Sequence, residues 1–174
     1  MGLRCGENTD TVNSADAVIR DFGIIDEIGA GEVYTKTELK AVTRSGVRCL
    51  AITMTYGVGA ECHWQTFNWL IDGGKMAAVL RDINRVILMT ESGQGAPIWG
   101  RWISRLMAYD QGIRLLKDLG PVAFHDGHGR ALGMVGEINR SRCFLYETRV
   151  GTKTRIQPFP ITSLRAIAAA IAEL

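Results

Sequence analysis

The chain has 174 residues, with 47% hydrophobic and 22% charged residues and a formal net charge of +2. That is the composition of a folded domain with a real core, and it excludes a disordered tail or a fibrous repeat. No apolar run reaches the ~18 residues a membrane-spanning helix needs, so no membrane partner is expected. The opening residues show no secretory pattern, which makes a cytoplasmic location the default.

The charge is unevenly placed. Residues 1–100 carry 9 Lys+Arg and 12 Asp+Glu, whereas residues 101–174 carry 11 and 6. The later residues are therefore basic, in a degree that a solvated face explains as readily as a nucleic-acid footprint.

In chain order, Ser14 and Gly23 bracket a segment that reads as a short helix with an N-cap and a C-terminal glycine. Residues 32–46 fit two patterns. Thr35-Lys-Thr-Glu38 is a capping box that favours a helix from about Thr35, while alternation over Glu32–Thr43 with Arg44-Ser-Gly46 as a turn suits a hairpin. Val47–Tyr56, β-branched and bounded by glycines, predicts a strand. From about Ala60, Trp64, Phe67 and Ile71 recur at helical spacing and Gly73-Gly74 ends the run. Lys75–Asn84 predicts a second helix and Arg85–Met89 a short strand.

Pro97 sits well as the first residue of a long helix reaching Leu119, and Gly120-Pro121 stops it. Strands follow over 122–125, 131–138, 143–149 and 154–159, and Thr162 or Ser163 caps a last helix, Leu164–Leu174. The sequence shows no internal repeat. The expectation is a single α+β domain over residues 1–174, with helices on a mainly antiparallel sheet formed largely by the C-terminal meander.

Candidate chemistry centres on Cys62. The four cysteines, Cys5, Cys49, Cys62 and Cys143, lie far apart, without the paired spacing of a zinc site, and no metal or cofactor is expected. Cys49 and Cys143 fall in apolar runs and read as core. Cys62 would open the helix from Ala60, where peptide dipoles favour a thiolate. The segment Phe124–Arg130 supplies His128 or His125 as base, and Glu147 or Asn139 could orient the imidazole. A Cys–His pair of this kind attacks acyl carbon, so the substrate would be a peptide or small acyl compound.

Binding candidates are Trp64, Arg130, Arg142 and Tyr146. Arg140, Arg142, Arg149, Lys153 and Arg155 surround one hairpin with Phe144 and Tyr146 interleaved, a pattern able to grip phosphates and stack bases. Gly93-Gln-Gly95 before a helix could cradle a phosphate. The alternative to an enzyme is thus a non-catalytic module that engages a protein, a second copy of itself in a homodimer, or nucleic acid.

Glu61-Cys62-His63-Trp64, Leu119-Gly120-Pro121-Val122 and Gly127-His128-Gly129-Arg130-Ala131-Leu132-Gly133 occur in that order. Over about residues 57–160 the chain resembles papain-like cysteine peptidases of the compact bacterial effector and peptide-processing type. That resemblance implies Cys62 as nucleophile, His128 as base and Glu147 or Asn139 as its partner. It departs from the family in placing Arg130, next to Ala131, at the usual histidine position. It also has no glutamine shortly upstream of Cys62 to stabilise an oxyanion.

Overall fold

The computed structural model describes residues 16–30, 33–58, 63–98, 112–124, 130–138, 140–150 and 152–174. The fold is α+β. Strands β1 (Ala17–Ala30), β2 (Val33–Arg44), β3 (Val47–Val58) and β4 (His63–Asp72) form one antiparallel sheet in chain order. A 3-10 turn at Gly73–Lys75 leads into helix α1 (Met76–Glu91). Strands β5 (Arg114–Ala123), β6 (Arg130–Ile138), β7 (Ser141–Val150) and β8 (Lys153–Pro160) form a second antiparallel sheet, again in chain order. Helix α2 (Ile161–Glu173) follows. Among the described residues no helix is long and apolar enough to cross a membrane.

The strands are therefore shared equally between the two halves instead of gathering in the C-terminal meander. The N-terminal segment expected to be helical is β1. Its Gly23 is not a helix stop but a bulge residue at φ +66°, whose N–H donates to Asp21 Oδ1 at 2.8 Å. Residues 33–44 take the hairpin alternative: Thr35, Thr37, Leu39 and Ala41 are buried at every second position. The turn to β3 uses Ser45 (φ +51°) and Gly46 (φ +77°), two left-handed residues in succession as a twisted two-residue hairpin requires.

The helix expected from about residue 60 is also replaced by a strand, β4. Phe67, Trp69 and Ile71 point into the core, and Thr66, Asn68 and Leu70 alternate with them. Arg85–Met89, expected as a strand, continues α1, and the C-terminal part of the expected long helix, from Arg114 onward, is β5. The strands expected over 131–138, 143–149 and 154–159 and the last helix lie where the sequence places them.

A repeat is present after all. Val18-Ile-Arg-Asp-Phe-Gly23 in β1 matches Leu115-Leu-Lys-Asp-Leu-Gly120 in β5. Both strands shift register at the same two places, Val18/Arg20 with Asp21/Gly23, and Leu115/Lys117 with Asp118/Gly120. Gly120, at φ +76°, donates to Asp118 Oδ1 at 2.9 Å, as Gly23 does to Asp21. The third strands each carry Arg-Cys at their second and third positions, Arg48-Cys49 and Arg142-Cys143. Arg48 Nη1 donates to the carbonyl of Leu174 at the end of α2 (2.9 Å), and Arg142 Nη1 to that of Thr90 at the end of α1 (3.2 Å). Each half thus uses one arginine to satisfy orphan carbonyls and the negative dipole end of the other half's helix. Leu80-Arg-Asp-Ile83 and Leu164-Arg-Ala-Ile167 repeat within the helices themselves.

The two halves close on one core. Leu50, Ile52, Trp69 and Ile71 of the first sheet meet Val122, Phe124, Phe144 and Phe159 of the second, with Ile83 and Ile167 among the helix residues between them. The far face of the second sheet is apolar too: Met134, Ile138, Cys143, Leu145 and Ile156 cluster there with Ile113 and with Tyr56 of β3. Burial pushes the Cys143 thiol up to about 12. A raised pKa keeps its stabilising contribution below the unfolded value near 9 and loses it as pH climbs from there toward 12. We expect Cys143 to resist alkylation at neutral pH until the protein unfolds, and base denaturation to set in above pH ~9. Peptide mapping after iodoacetamide treatment reads the first, and circular dichroism against pH the second.

Candidate functional site

The described residues do not assemble the expected catalytic set. Cys62, His125, His128 and Asn139 lie outside the described residues. Glu147 is in β7, paired with Leu132 and Ile156. β4 starts at His63, so the helix expected to follow Cys62 is a strand over residues 63–72. Among the described residues no three His, Cys, Asp or Glu side chains gather as metal ligands.

Two of the four binding candidates, Tyr146 and Arg142, are engaged within the fold. Tyr146 is buried, its ring 5.5 Å from that of Phe124 and 6.1 Å from that of Phe144. Phe144 is fully buried. Neither ring can stack on a base, so the hairpin expected to combine arginines with aromatic platforms supplies the core instead. Arg142 is exposed but committed to the α1 terminus, reaching the Thr90 carbonyl at 3.2 Å and that of Glu91 at 3.5 Å. Arg130 opens β6 opposite Ala123, and Trp64 pairs in β4 with Gly57; their side chains lie outside the described set.

Gly93 and Gly95 follow the C-terminus of α1, the end of a helix that repels phosphate. Gly93 sits at φ +68° just past the helix. Gly95 is required by contact: a Cβ there would stand 2.6 Å from the Asp118 carbonyl oxygen, where Ala96 pairs with Asp118. These glycines end a helix and seat a bridge to β5.

Among the described residues, a half-buried polar surface lies on the first sheet. The face of the first sheet turned away from the core carries side chains in cross-strand rows. Lys36 stands beside Thr55 and Thr66, Glu38 beside Thr53 and Asn68, and Lys40 beside Ala51 and Leu70. Tyr34, Gly57 and Trp64 are the next register row toward the β1–β2 turn. Neighbouring strands are ~4.8 Å apart, so three strands make a platform roughly 10 Å across. Thr53 Oγ1 lies 3.3 Å from Asn68 Oδ1, and Lys36 Nζ 3.6 Å from Glu38 Oε2. Tyr34 donates its hydroxyl to Glu27, and that bond to a carboxylate, with some burial, raises the phenol to about 12. The phenol is therefore a neutral donor and ring at every physiological pH.

Sequence reasoning missed this face because it read β4 as a helix, which dispersed Thr66 and Asn68 around a cylinder. The alternation Thr53-x-Thr55 with Thr66-x-Asn68 was the available signal.

No family model and no curated protein matches the chain. Among solved structures it is similar to that of the plant transcriptional regulator PBF-2, with a TM-score of 0.34 and 11% identity over 88% of this chain and 80% of that one.

Proposed function

We propose that this chain is a non-catalytic binding module that lays a single strand of nucleic acid across the outer face of its first sheet. The observation that carries this reading is the asymmetry between the two sheets. The second is apolar on both faces, whereas the first presents Lys36, Glu38, Lys40, Thr53, Thr55 and Thr66 away from the core in register, with Lys40 exposed and Lys36 paired with Glu38. Hydroxyl donors spaced along a sheet suit sugar and phosphate oxygens, and two lysines supply the cationic contacts that a phosphate chain needs. Tyr34 borders the rows and offers a ring at the platform's end.

The test is fluorescence anisotropy with a labelled oligonucleotide over a range of salt. We expect log Kobs to fall with log salt at a slope of roughly −0.7 per phosphate neutralised, thus about −1.4 if both lysines engage. Lys36→Glu with Lys40→Glu should weaken binding at least tenfold and flatten that slope, with no change in thermal stability. Binding that ignores both salt and the double substitution would refute the platform. Thiol-dependent hydrolysis demands the opposite chemistry, a Cys62 alkylated rapidly well below pH 8. The module reading expects slow alkylation of Cys62 at that pH.

A further inference from the structure

Among the described residues five large apolar side chains are exposed, and three of them, Val18 (51%), Ile19 (49%) and Ile24 (51%), lie on β1. β1 is an outer strand of its sheet. The internal repeat gives these residues a reference. Their counterparts in the second half are Leu115, Leu116 and Pro121. Leu115 is half-buried and packs against the second apolar cluster, and Leu116 is half-buried too. Pro121 offers no N–H and blunts the β5 edge, a common protection against unwanted pairing. β1 keeps Ile24 where β5 has its proline, and exposes the two aliphatics that β5 covers.

We propose that β1 is the seam of a homodimer, in which Val18, Ile19 and Ile24 pack against the same residues of a second copy about a two-fold axis. A second copy is the fitting occupant because the strip is apolar and its flanking charges are self-complementary. An axis between Asp21 and Phe22 sets Ile19 of one copy against Ile24 of the other, with Val18 at the end of the strip. Arg20 of each copy then lies diagonal to the other's Asp21, within reach of a long side chain. Arg20 forms an ion pair with Glu173 of its own chain at 2.8 Å and Asp21 stands beside Lys40 of β2, so the strip is flanked by balanced charge and two identical surfaces meet without like-charge repulsion.

The bulges at Val18/Arg20, Asp21/Gly23 and Ile24/Asp26 coil the strand, so the contact runs through side chains instead of a long backbone ladder. An isologous contact of this kind closes at two copies. The strip is short, which places the dimer at the small end of interface sizes and its dissociation constant in the micromolar range.

Sedimentation equilibrium of the full chain without any oligonucleotide tests this, which keeps it separate from the binding proposal. The wild-type mass should rise from monomer toward dimer across micromolar concentrations and stop there. Ile19→Lys and Ile24→Lys, both at exposed positions, should weaken association at least tenfold while leaving thermal unfolding unchanged. Leu88→Lys, at the 68% exposed position on α1, should dimerise like the wild type. A wild type that stays monomeric, assembles beyond two copies, or loses its dimer through Leu88→Lys and not through the β1 substitutions would overturn the seam.

Discussion

Phe159→Ala should remove about 4 kcal/mol of folding stability, near the top of what a single core truncation costs. Phe159 is 1% exposed and sits where both sheets meet. Its ring lies 5.6 Å from that of Phe67 and 6.2 Å from those of Trp69 and Phe144. The contacts to Phe67 and Trp69 are edge-to-face, at interplanar angles of 81° and 78°. Truncation forfeits the transfer free energy of a whole ring, leaves a cavity, and strips two favourable aromatic geometries, each worth about 1 kcal/mol beyond its area.

These partners come from two strands, one in each sheet, so the cavity cannot close by moving one side chain. Against a typical total of ~5–15 kcal/mol, the loss is a large share of the whole. Urea unfolding followed by tryptophan fluorescence should show the midpoint falling by roughly 2 M at unchanged slope, for a slope of about 2 kcal/mol/M. A loss under ~1 kcal/mol, the range of a surface substitution, would mean that the two sheets do not share this ring.

What the sequence discloses about this fold depends on whether a signal has more than one structural meaning. The strands over 131–138, 143–149 and 154–159 were legible because β-branched and aromatic residues alternate there between turn residues. Gly23 was not, because a left-handed glycine after a polar residue marks a helix end and a G1-type bulge equally well. The deciding residue is Asp21, whose side chain accepts from Gly23 and holds the bulge within a strand. Trp64, Phe67 and Ile71 satisfy the helical period, and Phe67, Trp69 and Ile71 satisfy the strand period just as well. A stretch of apolar residues this short does not choose between them. The choice is made by β3, whose unpaired edge β4 satisfies through ten paired positions.

That single reassignment also decides how much of the site was legible. Reading a helix at 60–72 made Cys62 a primed nucleophile; the strand over 63–72 instead lines up the Thr and Asn rows. The repeat was visible in principle, since Arg-Asp-Phe-Gly and Lys-Asp-Leu-Gly stand 97 positions apart. Four residues of similarity carry little weight until two strands bulge at the same places and two arginines reach across to each other's helix.

Gly133→Ala should cost about 2 kcal/mol, although this glycine needs no special backbone conformation. Gly133 pairs with Gly120 on one side and with Tyr146 on the other, at the centre of the second sheet. A Cβ built there stands 2.6 Å from Val122 Cγ2 and 2.9 Å from Phe144 Cε2. Both neighbours are buried in the main core, at 4% and 0% exposure, so neither can swing toward solvent. The missing side chain is what lets Val122 and the Phe144 ring close over β6 and touch the layer of aromatic residues beyond. Gly93→Ala is the contrasting case. Its φ is +68° and no atom lies within 4 Å of the added carbon, so its cost, about 1 kcal/mol, is backbone strain alone. The two mechanisms separate in a double-mutant cycle. Val122→Ala trims the nearest clashing methyl, so Gly133→Ala combined with Val122→Ala should be at least 0.5 kcal/mol less destabilised than the two single losses added. The same Val122→Ala change combined with Gly93→Ala should be additive within ~0.3 kcal/mol. Additivity in the first pair would show that Gly133 is not crowded by Val122, and that the second sheet packs on its core differently from the arrangement described above.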